Sequence, residues 1–171
     1  MVTGLFCIYW VTDEITHDSN LSVECLRRTL IKVKAERGFL PETLYLQLDN
    51  GPDNKSKHFL AFISYLVEQK IFHKVKLSYL IVGHTHEDVD QYFSCISRFI
   101  KKVLQTIYTL PEFLAALSDS FKTAKCKPTC IEHIQYTYDT SGLVDLFQDI
   151  KRFDLPEKNR RQSPLFCHQK E

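Results

Sequence analysis

Potential metal ligands are concentrated in two short stretches of the chain. In the first stretch, Asp49 and Asn50 directly follow the apolar run Leu44–Leu48. In the second, five acidic or imidazole side chains lie within seven positions after the apolar run Val75–Val82, namely His84, His86, Glu87, Asp88 and Asp90. Such a density of carboxylates and imidazoles is typical of metal-binding or catalytic sites. These two stretches together form the candidate functional site.

Asp49 and Asp90 each also have a purely structural explanation. Asp49 begins an Asp-Asn-Gly sequence, and such sequences bend the chain through local side-chain hydrogen bonds. Asp90 falls at the predicted start of a long helix, where the helix dipole stabilises a carboxylate regardless of function. Ligands of open α/β sheets do bind beyond the carboxyl ends of the strands, where Asp49 is placed. Both interpretations therefore stay open at this point.

Composition limits the classes of protein to consider. Of the 171 residues, 44% are hydrophobic, and the formal net charge is only +1. This content can bury a core, while the balanced charge means that a nucleic acid would have to be held by a local patch. No apolar run approaches the roughly 18 residues that span a bilayer, and no signal peptide is recognisable, so we expect an intracellular protein without membrane partners. We interpret the six cysteines as reduced thiols.

Hydrophobic patterns predict an alternation of strands and helices that would position these ligands. Strands are predicted over Gly4–Val11, Leu44–Leu48 and Val75–Val82. Helices are predicted from Asn20, as the cap, to the terminator Gly38, from Lys55 to Lys70, and from Val89 to Thr106. The first helix joins the first two strands, which predicts that those strands form a parallel pair. Lys55 and Lys57 would lie in the first turn of the second helix, where a nearby anion would be favourable.

The pattern is weaker in the second half of the chain. A helix is predicted to begin at Thr109–Glu112, an edge strand to cover Ile131–Tyr138 and a short helix to cover Leu143–Phe153. Residues 154–171 form a predicted polar tail with a small basic cluster. We expect one domain over residues 1–153, followed by that tail.

Three metal motifs match the chain only in part. His84-x-His86-x-Asp88 matches a portion of the metallo-β-lactamase signature, but Val89 replaces the next histidine. The same stretch resembles the last motif of calcineurin-like phosphoesterases, whose upstream D-x-H, G-D and G-N-H motifs are missing from the sequence. A zinc site could be formed by cysteines and histidines with loose spacing, namely Cys126, Cys130 and His133, with Cys167 and His168.

A further resemblance covers the chain from about Phe6 to Phe99. It is carried by short motifs in a fixed order: Asp13-Glu14 after a strand, Ser19-Asn20 at a helix start, Leu46-x-x-Asp49-Asn50 followed by Asn54-Lys55, and Gly83-His84-Thr85 followed by Asp90 and Phe93. In these features the chain resembles an uncharacterised eukaryotic domain family that is frequent in transposon-derived genes. That family is similar to DDE-type transposases and integrases of the RNase H-like fold.

The resemblance implies an α/β fold with an RNase H-like mixed sheet flanked by helices. Asp49 and Asp90 would be the second and third acids of a catalytic triad that holds two Mg²⁺ or Mn²⁺ ions for DNA strand cleavage or transfer. The residues expected to orient this site or to contact nucleic acid are Asn50, Asn54, Lys55, His84, His86 and Asp88. DNA is then the expected partner, the expected location is nuclear, and no small-molecule substrate is expected.

The first acid of such a triad would lie on a strand that precedes Gly4. We therefore expect an N-terminally incomplete domain without its first strands, and low or no activity. Two competing hypotheses are a non-catalytic interaction module and a calcineurin-like metallophosphoesterase. Self-association is a separate option for this chain. Loss of Mg²⁺ or Mn²⁺ binding in Asp49 and Asp90 variants would distinguish the transposase-derived enzyme from these two competing hypotheses.

Overall fold

The fold is a mixture of helices and short strands. The computed structural model describes residues 7–12, 14–79, 88–103, 109–120, 130–147 and 165–167. In chain order, these residues form β1 (Cys7–Trp10), α1 (Ser19–Arg37), β2 (Thr43–Leu48), a 3₁₀ turn (Asp53–Lys55), α2 (Lys57–Glu68), β3 (Lys74–Tyr79), α3 (Asp88–Val103), α4 (Leu110–Ser120), β4 (Cys130–His133), α5 (Ser141–Leu146) and β5 (Leu165–Cys167). The predicted α/β class is confirmed.

The chain divides into two compact units. The smaller unit consists of Met1–Ile8 and Gly83–Glu132, and the larger unit of Tyr9–Val82 and His133–Glu171. The predicted boundary between residues 153 and 154 lies outside the described residues. None of the described helices combines the length and the apolar content that crossing a bilayer requires.

A β-α-β crossover organises the larger unit. Strands β2 and β3 are parallel neighbours, with Tyr45 opposite Lys76 and Leu48 opposite Tyr79, and α2 connects them. On its other side β3 pairs with β5, which is antiparallel and lies within the segment predicted as a polar tail. Both parallel strands therefore end at the same edge of the sheet, and Asp49 directly follows β2 at that edge.

Strand β1 has a different neighbour from the one predicted. It pairs with β4 in a separate two-stranded sheet, so the predicted parallel pair of β1 and β2 is wrong. The backbone N–H of Ile134 donates to the carbonyl of Trp10 at 2.9 Å, and the Trp10 and His133 rings stack 3.8 Å apart at 5°. All four residues of β1 are half-buried. The Trp10 ring thus packs against a segment that is distant in the chain.

Helix α1 begins at Ser19, and its cap lies two residues before the predicted cap Asn20. Asp18 Oδ1 accepts hydrogen bonds from the backbone N–H groups of Asn20, at 2.8 Å, and Leu21, at 3.2 Å, so Asp18 is the cap. The Asn20 side chain instead accepts from the hydroxyl of Thr140 at 2.6 Å, which ties the start of α1 to that of α5. The predicted terminator is confirmed, since Gly38 has a φ of 78° and its N–H donates to Lys34 O at 2.8 Å.

Helix α2 forms the centre of the core. Its predicted apolar stripe of Phe59, Leu60, Ile63, Leu66 and Val67 is buried, and Ala61 and Phe62 are buried as well. The helix packs against α1, α5 and β3. It starts at Lys57 after the cap Ser56, so the prediction that Lys55 lies in its first turn is wrong. Lys55 belongs to the preceding 3₁₀ turn and faces the residues after β2.

In the smaller unit, α3 packs against α4. The predicted start of α4 is confirmed by a capping box, in which Thr109 N donates to Glu112 Oε2 at 3.0 Å and Glu112 N donates to Thr109 Oγ1 at 3.4 Å. Phe93, which the helical pattern places on the apolar face of α3, is 63% exposed. Two predicted elements near the end of the chain are displaced: the strand ends at His133, and α5 covers only Ser141–Leu146.

Candidate functional site

The first predicted ligand, Asp49, lies directly beyond the end of β2 and is exposed to solvent. Its Oδ1 atom accepts two hydrogen bonds, one from the backbone N–H of Gly51 at 2.9 Å and one from the Asn54 side-chain amide at 2.6 Å. The bond to Gly51 closes an Asx turn, which is the local role that the Asp-Asn-Gly sequence favours. Neither bond involves Oδ2, so one carboxylate oxygen is fixed in place and the other is left for solvent or a ligand.

Lys55 and Tyr79 complete this group, which we call the Asp49 turn and define as Asp49, Asn50, Gly51, Asn54, Lys55 and Tyr79. Lys55 Nζ donates to Asn50 Oδ1 at 2.5 Å and lies 5.1 Å from the centroid of the Tyr79 ring. The Tyr79 hydroxyl donates to the carbonyl of Asn54 at 3.0 Å. The last residue of β3 therefore supports the turn that follows β2, as the parallel register of the two strands allows.

Gly51 sits against the carboxylate that it binds. A Cβ atom at this position would lie 3.0 Å from Asp49 Oδ1 and 3.8 Å from Asn54 Nδ2. The first distance is shorter than ordinary van der Waals contact, so any side chain here would press on the fixed carboxylate oxygen. Glycine at this position avoids that pressure, whereas a larger residue would shift the Asp49 carboxylate by a few tenths of an ångström.

The donor chemistry of the Asp49 turn suits a hard divalent cation, because Mg²⁺ and Mn²⁺ prefer carboxylate and amide oxygens. Asp49 Oδ2 is the donor best placed to bind one, since Asn50 Oδ1 already accepts from Lys55. Within the described residues, no group of three or more His, Cys, Asp or Glu side chains is placed to hold a metal ion. The described part of the turn therefore offers an ion one carboxylate, and a metal site there would need further ligands.

The second predicted stretch is described only in part. Asp88 and Asp90 lie in the first turn of α3, whereas His84, His86 and Glu87 fall outside the described residues. Two carboxylates in the first turn of a helix are favoured by the helix dipole. The predicted meeting of Asp49 with Asp90 stays a prediction, as do the roles of His84, His86 and Asp88.

The predicted zinc site is likewise only partly described. Cys130 and His133 both lie on β4, and Cys126 and His168 are outside the described residues. Residues three apart on a strand point to opposite faces, so Cys130 and His133 do not converge on one ion through a regular strand. The Cys130 thiol is free, and the His133 ring stacks on Trp10.

A buried charged cluster in α1 was missed by the sequence analysis. Glu24 is 1% exposed, and its carboxylate accepts from Arg27 Nε and Nη2, both at 2.8 Å, and from Arg28 Nε at 2.7 Å. The Arg27 guanidinium lies 5.3 Å from the ring centroid of Tyr138, and that of Arg28 lies 6.0 Å from that of Tyr136. The spacing of Glu24 to arginines three and four residues later was a usable signal, because such pairs meet on a helix.

The electrostatics of this cluster indicate a structural role. Burial alone would raise the pKa of Glu24, but hydrogen bonds and charge from Arg27 and Arg28 outweigh it and hold the pKa below its ordinary value. The neighbouring thiol behaves oppositely: burial, together with the negative charge of Glu24, raises the pKa of Cys25 to about 11. Cys25 is therefore protonated at neutral pH, and at the same pH Glu24 is a charged partner of the two arginines.

Residues 2–163 match the family model described as "Domain of unknown function (DUF7869)". The chain belongs to the DUF7869 family. The match includes the whole Asp49 turn, the first turn of α3 and the Glu24 cluster of this DUF7869 domain. No curated protein and no solved structure matches the chain.

Proposed function

We propose that the DUF7869 domain is derived from a transposase or integrase with an RNase H-like fold, whose reaction was metal-dependent cleavage or transfer of DNA strands. One observation carries the proposal. Asp49 is presented to solvent at the carboxyl end of a parallel strand, with Oδ1 fixed by Gly51 and Asn54 and with Oδ2 outside those bonds. Ligands of α/β sheets bind at this edge, and a pre-positioned carboxylate is what a catalytic cation requires.

Further support comes from the surroundings of Asp49. Lys55, held by Asn50 and Tyr79, places a positive charge beside the turn that could meet a phosphate of the DNA backbone. The order of short motifs that resembles the DDE-type enzymes includes Asp49, Asn54 and Lys55, and all three meet in this turn. A cluster that joins these motif residues supports a shared role for them.

The expected ligands are Asp49 and Asp90, with Mg²⁺ or Mn²⁺ as the ion. When bound, such an ion supplies activation of water or of a 3′-hydroxyl and stabilises the leaving oxygen of the phosphodiester. Asp49 would hold the ion through Oδ2 while Oδ1 keeps the turn in shape, and Lys55 would orient the phosphate. Two carboxylates bind a divalent ion weakly, so we expect weak metal binding and low activity.

The test is titration calorimetry with MnCl₂, combined with cleavage of a fluorescently labelled DNA in Mn²⁺. We expect weak Mn²⁺ binding by the wild-type chain, and its loss in both Asp49→Asn and Asp90→Asn. The control is Asp145→Asn, which removes an exposed carboxylate from α5 in the same unit as Asp49. If Asp49→Asn and Asp90→Asn bind Mn²⁺ like the wild type, the proposal is wrong, whatever the cleavage assay shows.

A second candidate function is a non-catalytic interaction module, and one observation favours it. Both described hydrogen bonds of Asp49 are internal to the turn, so the carboxylate has a sufficient structural role without any ion. This alternative predicts that Asp49→Asn, which keeps an acceptor oxygen for Gly51, changes neither the thermal stability nor any response to Mn²⁺. A rise of the melting temperature with Mn²⁺ in the wild type alone would contradict it.

A further inference from the structure

Among the elements that the structure describes, the helices pack on one face of the parallel pair and none packs on the other. Alternate residues of β2 and β3 pack on the helical core, where Val75, Leu77 and Tyr79 are buried. The intervening residues point to the opposite side, because successive side chains of a strand alternate between faces. We call this side the open face and define it as Thr43, Tyr45, Gln47, Lys74, Lys76 and Ser78.

The centre of the open face is a tyrosine paired with a lysine. Tyr45 is 68% exposed and stands directly opposite Lys76 in the register of the two strands. Lys76 Nζ donates to the Tyr45 hydroxyl at 3.2 Å and lies 4.7 Å from the centroid of the ring. The two distances place the ammonium towards the hydroxyl end of the ring. A large aromatic surface therefore stays open to solvent beside a fixed positive charge.

The charge on the open face has one sign. Lys74 stands opposite Thr43 and adds a second cation one pair before Tyr45 and Lys76, while Gln47 and Ser78 form the next pair and are neutral and exposed. These three described pairs contain no acidic side chain. The first carboxylate on this path is Asp49, two residues after Gln47. Along the direction of β2, the face thus presents Lys74 first, then the pair of Tyr45 and Lys76. The neutral pair of Gln47 and Ser78 follows, and the Asp49 turn comes last.

We propose that the open face binds single-stranded nucleic acid, with a base stacked on Tyr45 and backbone phosphates against Lys74 and Lys76. An exposed ring beside lysines suits this ligand, because aromatic stacking holds bases and lysines hold the backbone. A paired duplex offers no base that is free to stack on a flat sheet. The inference rests on the proposed function, because a single strand bound along the open face would extend to the proposed metal ligand Asp49.

The experiment measures fluorescence anisotropy of a labelled oligodeoxythymidine of about 12 nucleotides, in EDTA and over a series of salt concentrations. Tyr45→Thr removes the ring but keeps a residue that favours strands. We expect it to weaken binding about 5- to 150-fold, as loss of one stacked base does. Tyr45→Phe keeps the ring, and we expect it to bind like the wild type.

Salt dependence tests the lysines separately. We expect Lys76→Gln to reduce the slope of log affinity against log salt concentration by about 0.7, the value for one phosphate contact on a single strand. The matched control is Lys34→Gln, which removes an exposed lysine of α1 in the same unit and should leave the slope unchanged. Thermal unfolding of each variant establishes that it is folded, and the Lys76→Gln slope stands as the test if Tyr45→Thr does not fold.

Four results would overturn the inference: no binding by the wild type, equal binding by Tyr45→Thr, equal competition by a DNA duplex, or equal competition by poly-glutamate as a model acidic protein partner. The metal proposal fails separately, because EDTA removes divalent ions. Tyr45-dependent binding without Mn²⁺-dependent cleavage would support nucleic-acid binding by the open face and reject the enzymatic proposal. Mn²⁺-dependent cleavage with binding that does not depend on Tyr45 would support the enzymatic proposal and reject binding by the open face.

Discussion

Glu24 and Asp49 are two carboxylates of the larger unit, and they differ in burial and in the groups that bind them. Glu24 is buried, and both of its oxygens accept hydrogen bonds from guanidinium groups. Asp49 is exposed, and only Oδ1 is held, by an amide of the backbone and an amide of a side chain. The charge of Glu24 is balanced by two guanidinium groups, whereas the described hydrogen bonds of Asp49 involve Oδ1 and not Oδ2.

The difference shows why a perturbed acid does not by itself indicate a functional site. Removing a carboxylate from water costs several kcal/mol, and the arginines at Glu24 offset that cost without leaving any group available for a substrate. Asp49 is exposed, so little desolvation is involved. Its position is explained instead by the hydrogen bonds from Gly51 and Asn54 that fix Oδ1. Four experiments test this contrast, beginning with the change of largest expected effect.

The first prediction concerns the charge of Glu24. Glu24→Gln should lower the free energy of unfolding by about 3 kcal/mol, because it leaves two guanidinium groups without their anion. We place the cost at the lower end of the range for buried pairs, since the Arg27 side chain is 34% exposed. Urea denaturation measures the change. Glu36→Gln, at an exposed position of the same helix, should differ from the wild type by less than about 0.5 kcal/mol.

The second prediction concerns pH. The pKa of Glu24 is lower in the folded protein than its ordinary value of 4.5, so the unfolded chain binds the proton more readily. The stability that Glu24 contributes is therefore complete above pH 4.5 and is lost as the pH falls through the folded pKa. The difference in unfolding free energy between wild type and Glu24→Gln should narrow on acidification. A difference that stays constant down to acid unfolding would contradict the assigned ion pairs.

The third prediction separates the shape of the Asp49 turn from its charge. Asp49→Ala removes the acceptor of two hydrogen bonds at an exposed site and should cost about 1 kcal/mol in unfolding free energy. Asp49→Asn keeps an acceptor and should cost less than half of that. If the two variants are equally stable, the turn does not depend on Oδ1. Thermal denaturation without metal makes this comparison independent of the proposed ion.

The smallest expected effect is at Gly51. An alanine Cβ would press on Asp49 Oδ1 at 3.0 Å, while alanine also reduces the entropy of the unfolded chain relative to glycine. These contributions oppose each other, so Gly51→Ala should change the unfolding free energy by no more than about 0.5 kcal/mol. It should nevertheless weaken any Mn²⁺ binding measured by calorimetry, because the carboxylate is displaced. Wild-type affinity in a folded Gly51→Ala protein would show that the oxygen position is not critical.

Local features of the larger unit could be predicted from the sequence. The apolar spacing of α2 and the glycine after α1 act within a few residues, so the periodicity identified β2, α2 and β3 and the αL position of Gly38. Asp49 was expected to follow a parallel strand and it does, but the parallel partner of β2 is β3 and not the predicted β1. These predictions succeeded because the determining interactions are close in sequence.

Features that depend on distant partners could not be predicted. β1 is as apolar as a central strand, but its neighbour is β4, more than a hundred residues away in the chain. The local sequence favours Asn20 as the cap of α1, yet its side-chain oxygen accepts a hydrogen bond from the Thr140 hydroxyl instead. The burial of Glu24 and the support that Tyr79 gives to Asn54 also require tertiary packing. No propensity or motif encodes which segment will cover a given side chain.

The stacked pair of Trp10 and His133 gives the protein an optical probe of its own. The chain has a single tryptophan, so its emission reports one place, where the indole lies 3.8 Å from an imidazole ring. Circular dichroism in the far ultraviolet instead follows the helices, α2 among them. Coincident unfolding curves from the two signals would mean that the β1 and β4 contact and the helical core melt together. An earlier change in emission would identify the contact between β1 and β4 as the first part to open.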